Sequence, residues 1–312
     1  MPSLTTKLVE LYLPLVGGVL LGWLLGYILP KGFPAALGKF LFWVGVPISV
    51  VAFLRRADLS GPIWIAPVVA WLAILLGAGL AWVWIHLERK TKQAVSLAHK
   101  PTQGSFLLAS MVGNTGYLGF PVTLALVGQQ YFGWALFYDM LGTMMGAYGL
   151  GVVLAAHFGN NHHRWQLAQT LLQNPALWSF GFGLAFREVS LPHPVEVSLQ
   201  KAAWTAVALS LGLIGMRLSR LSSWRPLPPV WISLGIKMLL VPLVLGCGLR
   251  LLGLHGSSQL VIVLEMAMPP AFATLILGEA FHLDRDLSVT TLAVGSMGFL
   301  FMLPLWLWLF RV

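Results

Sequence analysis

Four ionisable residues lie inside otherwise apolar stretches of the 312-residue chain: Asp139, Lys237, Glu265 and, nearer the end of its stretch, Glu279. A charge held in hydrocarbon is costly, so such residues are read as functional first, with a packed Asp–Lys pair serving structure alone as the competing reading. Two carboxyls close together in a medium of low dielectric can share a proton, which makes Glu265, then Asp139, the expected groups for proton coupling. Lys237 comes third, as a group that neutralises one of them or attracts an anion. Glu265 precedes Pro269 by about one helical turn, so it belongs beside whatever that proline does to the chain.

Two stretches carry residues that interrupt a helix. Gly113-Asn114-Thr115-Gly116-Tyr117-Leu118-Gly119-Phe120-Pro121 stands near the middle of one, and Met268-Pro269-Pro270-Ala271 at the centre of another. Glycine loosens a helix, and proline removes a hydrogen bond while its ring clashes with the preceding turn. Either the backbone opens at these places, or each proline only kinks a packed helix. Opened amide and carbonyl groups are tolerated at membrane depth only inside protein or along a wet cavity, and paired interruptions in corresponding places mark the binding site of many carriers. An opened helix also presents a half-helix N-terminus, whose amides and positive dipole end favour carboxylate oxygens. The ligand expected on these grounds is a small organic anion.

Membrane-spanning helices must position these residues. The chain is 58% hydrophobic and 9% charged with a mean hydropathy of +0.82, whereas a soluble domain carries roughly 25% charged residues. Apolar stretches run near 11–29, 36–54, 62–85, 105–129, 133–157, 175–189, 198–218, 230–252, 258–281 and 287–310, each about long enough to span a bilayer, the sixth being short. Trp64, Trp82, Trp84, Trp231, Trp306 and Trp308 stand near stretch ends, as interfacial anchors do. With the N-terminus outside, the inner loops hold Lys31, Lys39, Arg89, Lys90, Lys92, Lys100, Arg164, Arg217, Arg220, Arg225 and Arg285, more basic residues than the outer loops, which hold Lys7, Arg55, Arg56, Arg187, Lys201, Arg250 and Arg311. The positive-inside rule thus puts both termini outside a cell membrane.

The two halves echo one another. Leu37-Gly38-Lys39 ahead of Leu54-Arg55 matches Leu199-Gln200-Lys201 ahead of Met216-Arg217 at a shift of about 162 residues, and Pro62-Ile63-Trp64-Ile65 matches Pro229-Val230-Trp231-Ile232 at a similar one. Five spans per half is odd, so the second copy enters the membrane inverted. The expected fold is an all-α polytopic membrane protein of ten transmembrane helices, a 5+5 inverted repeat with two broken crossover helices, residues 1–157 forming the first repeat and 158–312 the second.

Asn114-Thr115 with Gly119-Phe120-Pro121, and Ala267-Met268-Pro269 followed by an apolar stretch to Glu279-Ala280-Phe281, resemble the crossover helices of the auxin efflux carrier family, which includes plant PIN-type carriers and bacterial dicarboxylate permeases. The resemblance implies a fold related to sodium/proton antiporters and bile-acid symporters, with a scaffold from helices 1, 2, 6 and 7 and a transport domain from helices 3–5 and 8–10. It implies secondary transport by alternating access, with the anion held at the crossing by Asn114, Thr115, Gly116 and Tyr117 and by the chain around Pro121, Met268, Pro269 and Pro270. The chain departs from the plant members in two ways. Only a short segment, 158–174, joins the fifth and sixth stretches, and Thr274 stands where the plant motif has a second proline, while Pro270 is additional.

Other functions find little footing. The net charge of +9 is spread over stretch ends instead of one stacked basic face, against nucleic-acid binding. His86, His157, His255 and His282 all lie at stretch ends, so the nucleophile with its base, or the metal set, of an intramembrane enzyme is not visible. His162-His163 beside Asn160-Asn161 lacks a third fixed metal ligand, Cys247 is the lone cysteine, and no phosphate-binding glycine loop occurs. No cofactor is expected. A channel, a potential-driven uniporter and a sensor share the hydrophobic plan and remain as alternatives. The stripes Gly18-Gly22-Gly26 and Gly142-Gly146 are read as helix packing within one chain before a homodimer seam. The first stretch is read as a retained helix instead of a cleaved signal.

Overall fold

The computed structural model describes residues 4–90, 97–159, 173–219 and 228–310, with side chains described from residue 16 onward. Lys92, Arg164, Arg220, Arg225, Arg311 and the His162-His163 pair lie outside the described residues. The described chain is helical: α1 (Leu4–Ile28), α2 (Phe33–Leu54), α3 (Ile65–Lys90), α4 (Lys100–Met111), α5 (Thr115–Leu126), α6 (Gln129–Phe158), α7 (Pro175–Phe186), α8 (His193–Leu218), α9 (Pro228–Leu251), α10 (Gly256–Ala267), α11 (Phe272–Ala280) and α12 (Arg285–Phe310). Of these, α2, α3, α6, α8, α9 and α12 are the six long and apolar enough to cross a membrane; α5, α7, α10 and the Val16–Ile28 part of α1 are apolar but shorter. Large apolar side chains such as Leu20, Leu24, Leu72, Leu75, Val244 and Phe301 stand exposed on these helices, a surface suited to lipid and not to water. Trp64, Trp231 and Trp308 are exposed near helix ends, but Trp306 is packed inside, because α12 turns that side of its last turns onto protein.

Prolines write a second pattern into the spans. Pro47, Pro121 and Pro242 each stand two residues beyond a π-helical turn, Leu41–Gly45, Thr115–Gly119 and Gly235–Leu240 respectively. Proline has no N–H to offer the carbonyl four residues back, and its ring crowds that carbonyl; widening the turn relieves both problems without breaking the helix. Two further π turns, Asp139–Thr143 and Gly146–Leu150, lie in glycine-rich α6 with no proline after them.

The chain divides into two compact units. The first holds Met1–Ser60, Tyr117–Leu136 and Gln173–Ser222. In it α1 lies directly on α8: a Cβ added at Gly22 would collide with the Gly212 carbonyl, one at Gly215 with the Val19 carbonyl, and one at Gly26 with Ser219 Oγ. The glycine stripe of α1 is therefore a helix-packing seam within this chain. Phe53 stacks edge-on against Phe132 and Trp204, at ring separations of 5.4 and 5.3 Å, and Phe120 does so against Phe132 at 5.0 Å. Arg55, just past α2, donates to the carbonyls of Phe186 (2.7 Å) and Val189 (2.6 Å) and pairs with Glu196 (3.3 Å), fastening the α7–α8 connection.

The second unit holds Gly61–Gly116, Phe137–Leu172 and Ser223–Val312. Here α4 and α10, the least exposed helices, are surrounded by α3, α6, α9 and α12. Gly142 and Gly146 bring α6 against Ala70 and Ile74 of α3, the second expected glycine seam. Ile74, Leu108, Met111, Val112, Ala147, Ala271, Leu277 and Phe281 form one apolar core around the end of α4 and along α11.

Because the α1–α8 seam brings backbone onto backbone, a branched side chain at Gly22 must force the helices apart. Overpacking of this kind costs about 1–3 kcal/mol and more where main chain is the obstacle. Gly22→Val should lower the melting temperature of the detergent-solubilised protein by several degrees, whereas Gly17→Val, at a position with open space beside it, should leave it near the parent value.

Candidate functional site

Helix α4 ends at Val112, whose backbone is extended (φ −109°, ψ 122°), and α5 starts at Thr115. Helix α10 ends at Met268 (φ −57°, ψ 140°), and α11 starts after Ala271 (φ −72°, ψ 152°). The two openings run antiparallel and pair. Asn114 N–H donates to the Pro269 carbonyl at 2.7 Å, Ala271 N–H donates to the Val112 carbonyl at 3.0 Å, and Gly113 lies opposite Pro270 in a single β-bridge. Extended backbone is the geometry in which proline is comfortable, and a proline opposite Gly113 asks for no hydrogen bond from the missing N–H. Each opening thus satisfies the other, and Val112, Gly113, Asn114, Met268, Pro269 and Pro270 are all buried.

The charged residues collect around this pairing. Asp139, 6% exposed, accepts a short hydrogen bond from the Thr115 hydroxyl, and its second oxygen would lie 3.2 Å from a Cβ built on Gly116. Lys237, 3% exposed, sends Nζ to the carbonyl of Met266 at 2.7 Å, in the last turn of α10. Its Nζ and Cε would both stand 3.1 Å from a Cβ on Gly113. Glu265, in that same last turn, is completely buried, and its charge acts on Lys237 and on the buried Tyr138 hydroxyl, which also feels Asp139. Among the described residues no ion pair joins Lys237 to Asp139; the ammonium takes a main-chain carbonyl instead. Three of these groups sit on π turns: Thr115 on Thr115–Gly119, Asp139 on Asp139–Thr143 and Lys237 on Gly235–Leu240. Such turns recur at functional sites because the extra residue re-aims side chains.

Of the residues singled out in the sequence, Asn114, Thr115, Gly116, Asp139, Lys237, Glu265, Met268, Pro269 and Pro270 meet in the second unit. Tyr117 and Pro121 fall in the first. There Pro121 stands inside α5 beyond its π turn and lines an apolar cavity of about 440 Å³ with Gly18, Gly22, Ala125, Trp204 and Met216. The backbone opens at Gly113 and Asn114, not at Pro121, because those residues have an extended partner strand and Pro121 does not. Glu279 forms an exposed ion pair with Arg285 at 2.8 Å, away from the pairing. His86, His157, His255 and His282 join no metal-binding group among the described residues.

Two residues carry more than the sequence suggested. Gly113 is small because the Lys237 ammonium and the Met268 carbonyl lie against it. Asp284 accepts from the Thr102 hydroxyl (2.9 Å) and the Leu287 amide (3.0 Å), while its carbonyl takes the Ser105 hydroxyl (2.8 Å). It both caps α12 and ties the start of α4 to the α11–α12 turn. Its place just ahead of a long apolar helix is the sequence signal for such a cap.

The described residues are helical, with six apolar helices of membrane length among them, which makes this a multi-pass membrane protein, and comparison with known proteins indicates its class. A family described as membrane transport protein matches residues 163–307. An uncharacterized transporter of Methanothermobacter thermautotrophicus is 29% identical over 92% of this chain and 93% of its own length. An uncharacterized transporter of Methanocaldococcus jannaschii is 26% identical over 66% of this chain and 68% of its own, and a probable auxin efflux carrier component of Oryza sativa subsp. japonica is 28% identical over 43% of this chain and 33% of its own. The chain is thus similar to membrane transport proteins along most of its length, and over part of it to a probable auxin efflux carrier component.

The Thr115–Asp139 contact gives a direct test of how the site is held. A hydrogen bond to a buried charged group is worth about 1.5–3 kcal/mol. Thr115→Val should lower the melting temperature by several degrees, and Thr115→Ser, which keeps the hydroxyl, should not; equal melting of the two would show that the contact holds nothing.

Proposed function

We propose that this chain is a secondary transporter of a small organic anion, a mono- or dicarboxylate, working by alternating access with binding at the paired openings of α4–α5 and α10–α11. One observation carries the reading: two helices interrupted in the buried heart of a membrane protein, paired through main chain, with Asn114, Thr115, Asp139, Lys237 and Glu265 gathered there. Each opening starts a new helix, α5 and α11, whose first amides have no intrahelical acceptor and whose dipole ends are positive. A carboxylate fits that field, and the side-chain amide of Asn114 supplies a directed donor. In this reading the ten apolar stretches are ten spans in a 5+5 inverted repeat, with each interrupted pair counted as one span and both termini outside.

We assign the scaffold and transport parts to the two compact units. On this proposal the scaffold is α1, α2, α7 and α8 with the Tyr117–Leu136 segment that shares their compact unit, and α3, α4, most of α6 and α9 to α12 are the part that moves. Glu265 is the proton-coupling residue: it is the most buried carboxyl at the openings and acts on the neighbouring ammonium.

Purified protein in liposomes should take up labelled small carboxylates with saturation and counterflow, which a channel does not give. Asn114→Ala should weaken binding by about ten- to a hundredfold, the worth of a hydrogen bond to a charged group. Glu265→Gln should lose uptake driven by a pH gradient yet keep exchange, which moves no net proton. If the variant responds to the gradient as the parent does, a uniporter driven by membrane potential replaces the coupled mechanism.

A further inference from the structure

Lys237 is placed where side-chain chemistry alone gives little reason for a lysine. It enters from the π turn of α9, yet its Nζ ends on a carbonyl of the last turn of α10, at 2.7 Å from Met266 O. The last carbonyls of a helix have no intrahelical donor and form its negative pole, and here that pole is buried at an interrupted helix. The Met268 carbonyl and the Lys237 Nζ both lie within 3.3 Å of one point, the Cβ position that Gly113 leaves vacant. Glu265, in the same turn, acts electrostatically on the ammonium. Main-chain carbonyls at a half-helix end with one carboxylate are the donor set that holds a monovalent metal cation in other carriers with broken helices. A lysine ammonium is a compact point charge on a flexible stem and suits the same donors.

We infer that Lys237 is a tethered substitute for a bound monovalent cation: its ammonium fills a cation site made by the Met266 carbonyl and the space that Gly113 leaves beside the Met268 carbonyl, within the field of Glu265, so the openings are held together without a free metal ion. The stem crosses from α9 to α10, and the ammonium neutralises the end of α10 that an inorganic ion would otherwise have to occupy. Arginine would not serve, because its planar fork is too large for the space beside Gly113. The inference shares its site with the proposed transport reading, and its thermal test does not depend on that reading.

The experiment removes the tether and offers the ion. In Lys237→Ala, kept as purified full-length protein, the donors remain while the charge is gone. Its melting temperature should be below the parent's in choline chloride and should rise with added sodium, potassium or ammonium chloride in a saturable way, by on the order of 5 °C at concentrations far above the dissociation constant. The parent should show no such difference between salts. In liposomes the same cation should restore carboxylate exchange lost in the variant. Lys237→Ser, which adds a hydroxyl ligand, is the second variant should Lys237→Ala not fold in choline. Equal melting in choline and in all three small cations, or failure of both variants to fold with any of them, overturns the inference. Cation-dependent melting without any carboxylate exchange in variant or parent keeps the cation site and removes the transport reading instead.

Discussion

Backbone polar groups cannot be left bare at membrane depth, and the second unit is organised around one solution to that constraint. Two helices stop in its interior, at Val112 and Met268, and the amides and carbonyls so released are given to each other: Asn114 to Pro269, Ala271 to Val112. Only two main-chain hydrogen bonds are involved, each worth about 1 kcal/mol net but several times that if left unmade in an apolar medium. The surrounding helices follow from the need to bury this crossing. That is why α4 and α10 are the least exposed elements, why α3, α6, α9 and α12 enclose them, and why Asp284 fastens the start of α4 to the α11–α12 turn. The side chains at the openings then face a medium of low dielectric in which a carboxyl, an ammonium and a helix end act strongly on one another.

Much of this could be read from the residues, for identifiable reasons. Hydropathy marks the helices because lipid demands apolar faces, and Pro269-Pro270 marks one opening because two adjacent prolines withdraw two donors at once. The other opening lay within the nine residues chosen from the sequence, yet its position did not follow from them. Pro121 is the strongest helix breaker there, but the chain yields at Gly113 and Asn114, since its partner is a segment more than one hundred and fifty residues away. A sequence read locally holds no record of that partner. Lys237 teaches a related lesson: a search for side-chain partners offers Asp139 and Glu265, while its direct acceptor is the Met266 carbonyl, a group every residue has and no residue type announces. Thr115, by contrast, was found by its neighbours in the motif, and its partner Asp139 by being an acid in an apolar stretch.

The two units also show different ways of bringing helices together without the hydrophobic effect, which does not operate between helices already in lipid. The α1–α8 seam removes side chains altogether, so that main chains touch at Gly22, Gly212 and Gly215 and dispersion over a long contact does the rest. The second unit relies more on polar contacts across helices, among them Gln259 to the Gly246 carbonyl at 2.8 Å and Ser288 to Ser105 at 3.1 Å. Polar contacts have few acceptable geometries, so they fix register more sharply than a smooth glycine face does.

The π turns divide the spans into two mechanical kinds. Such a turn holds one residue more than an α-helix of the same rise, and each added residue rotates everything beyond it by about 100°. In α2, α5 and α9 the surplus residue is pinned, because Pro47, Pro121 and Pro242 deny the hydrogen bond that would absorb it. In α6 no proline follows, so the surplus residues at Asp139–Thr143 and Gly146–Leu150 resemble dislocations in a crystal that no ring pins in place. The direction in which Asp139, the first residue of one such turn, leaves the helix is therefore set by where along α6 the surplus residue rests.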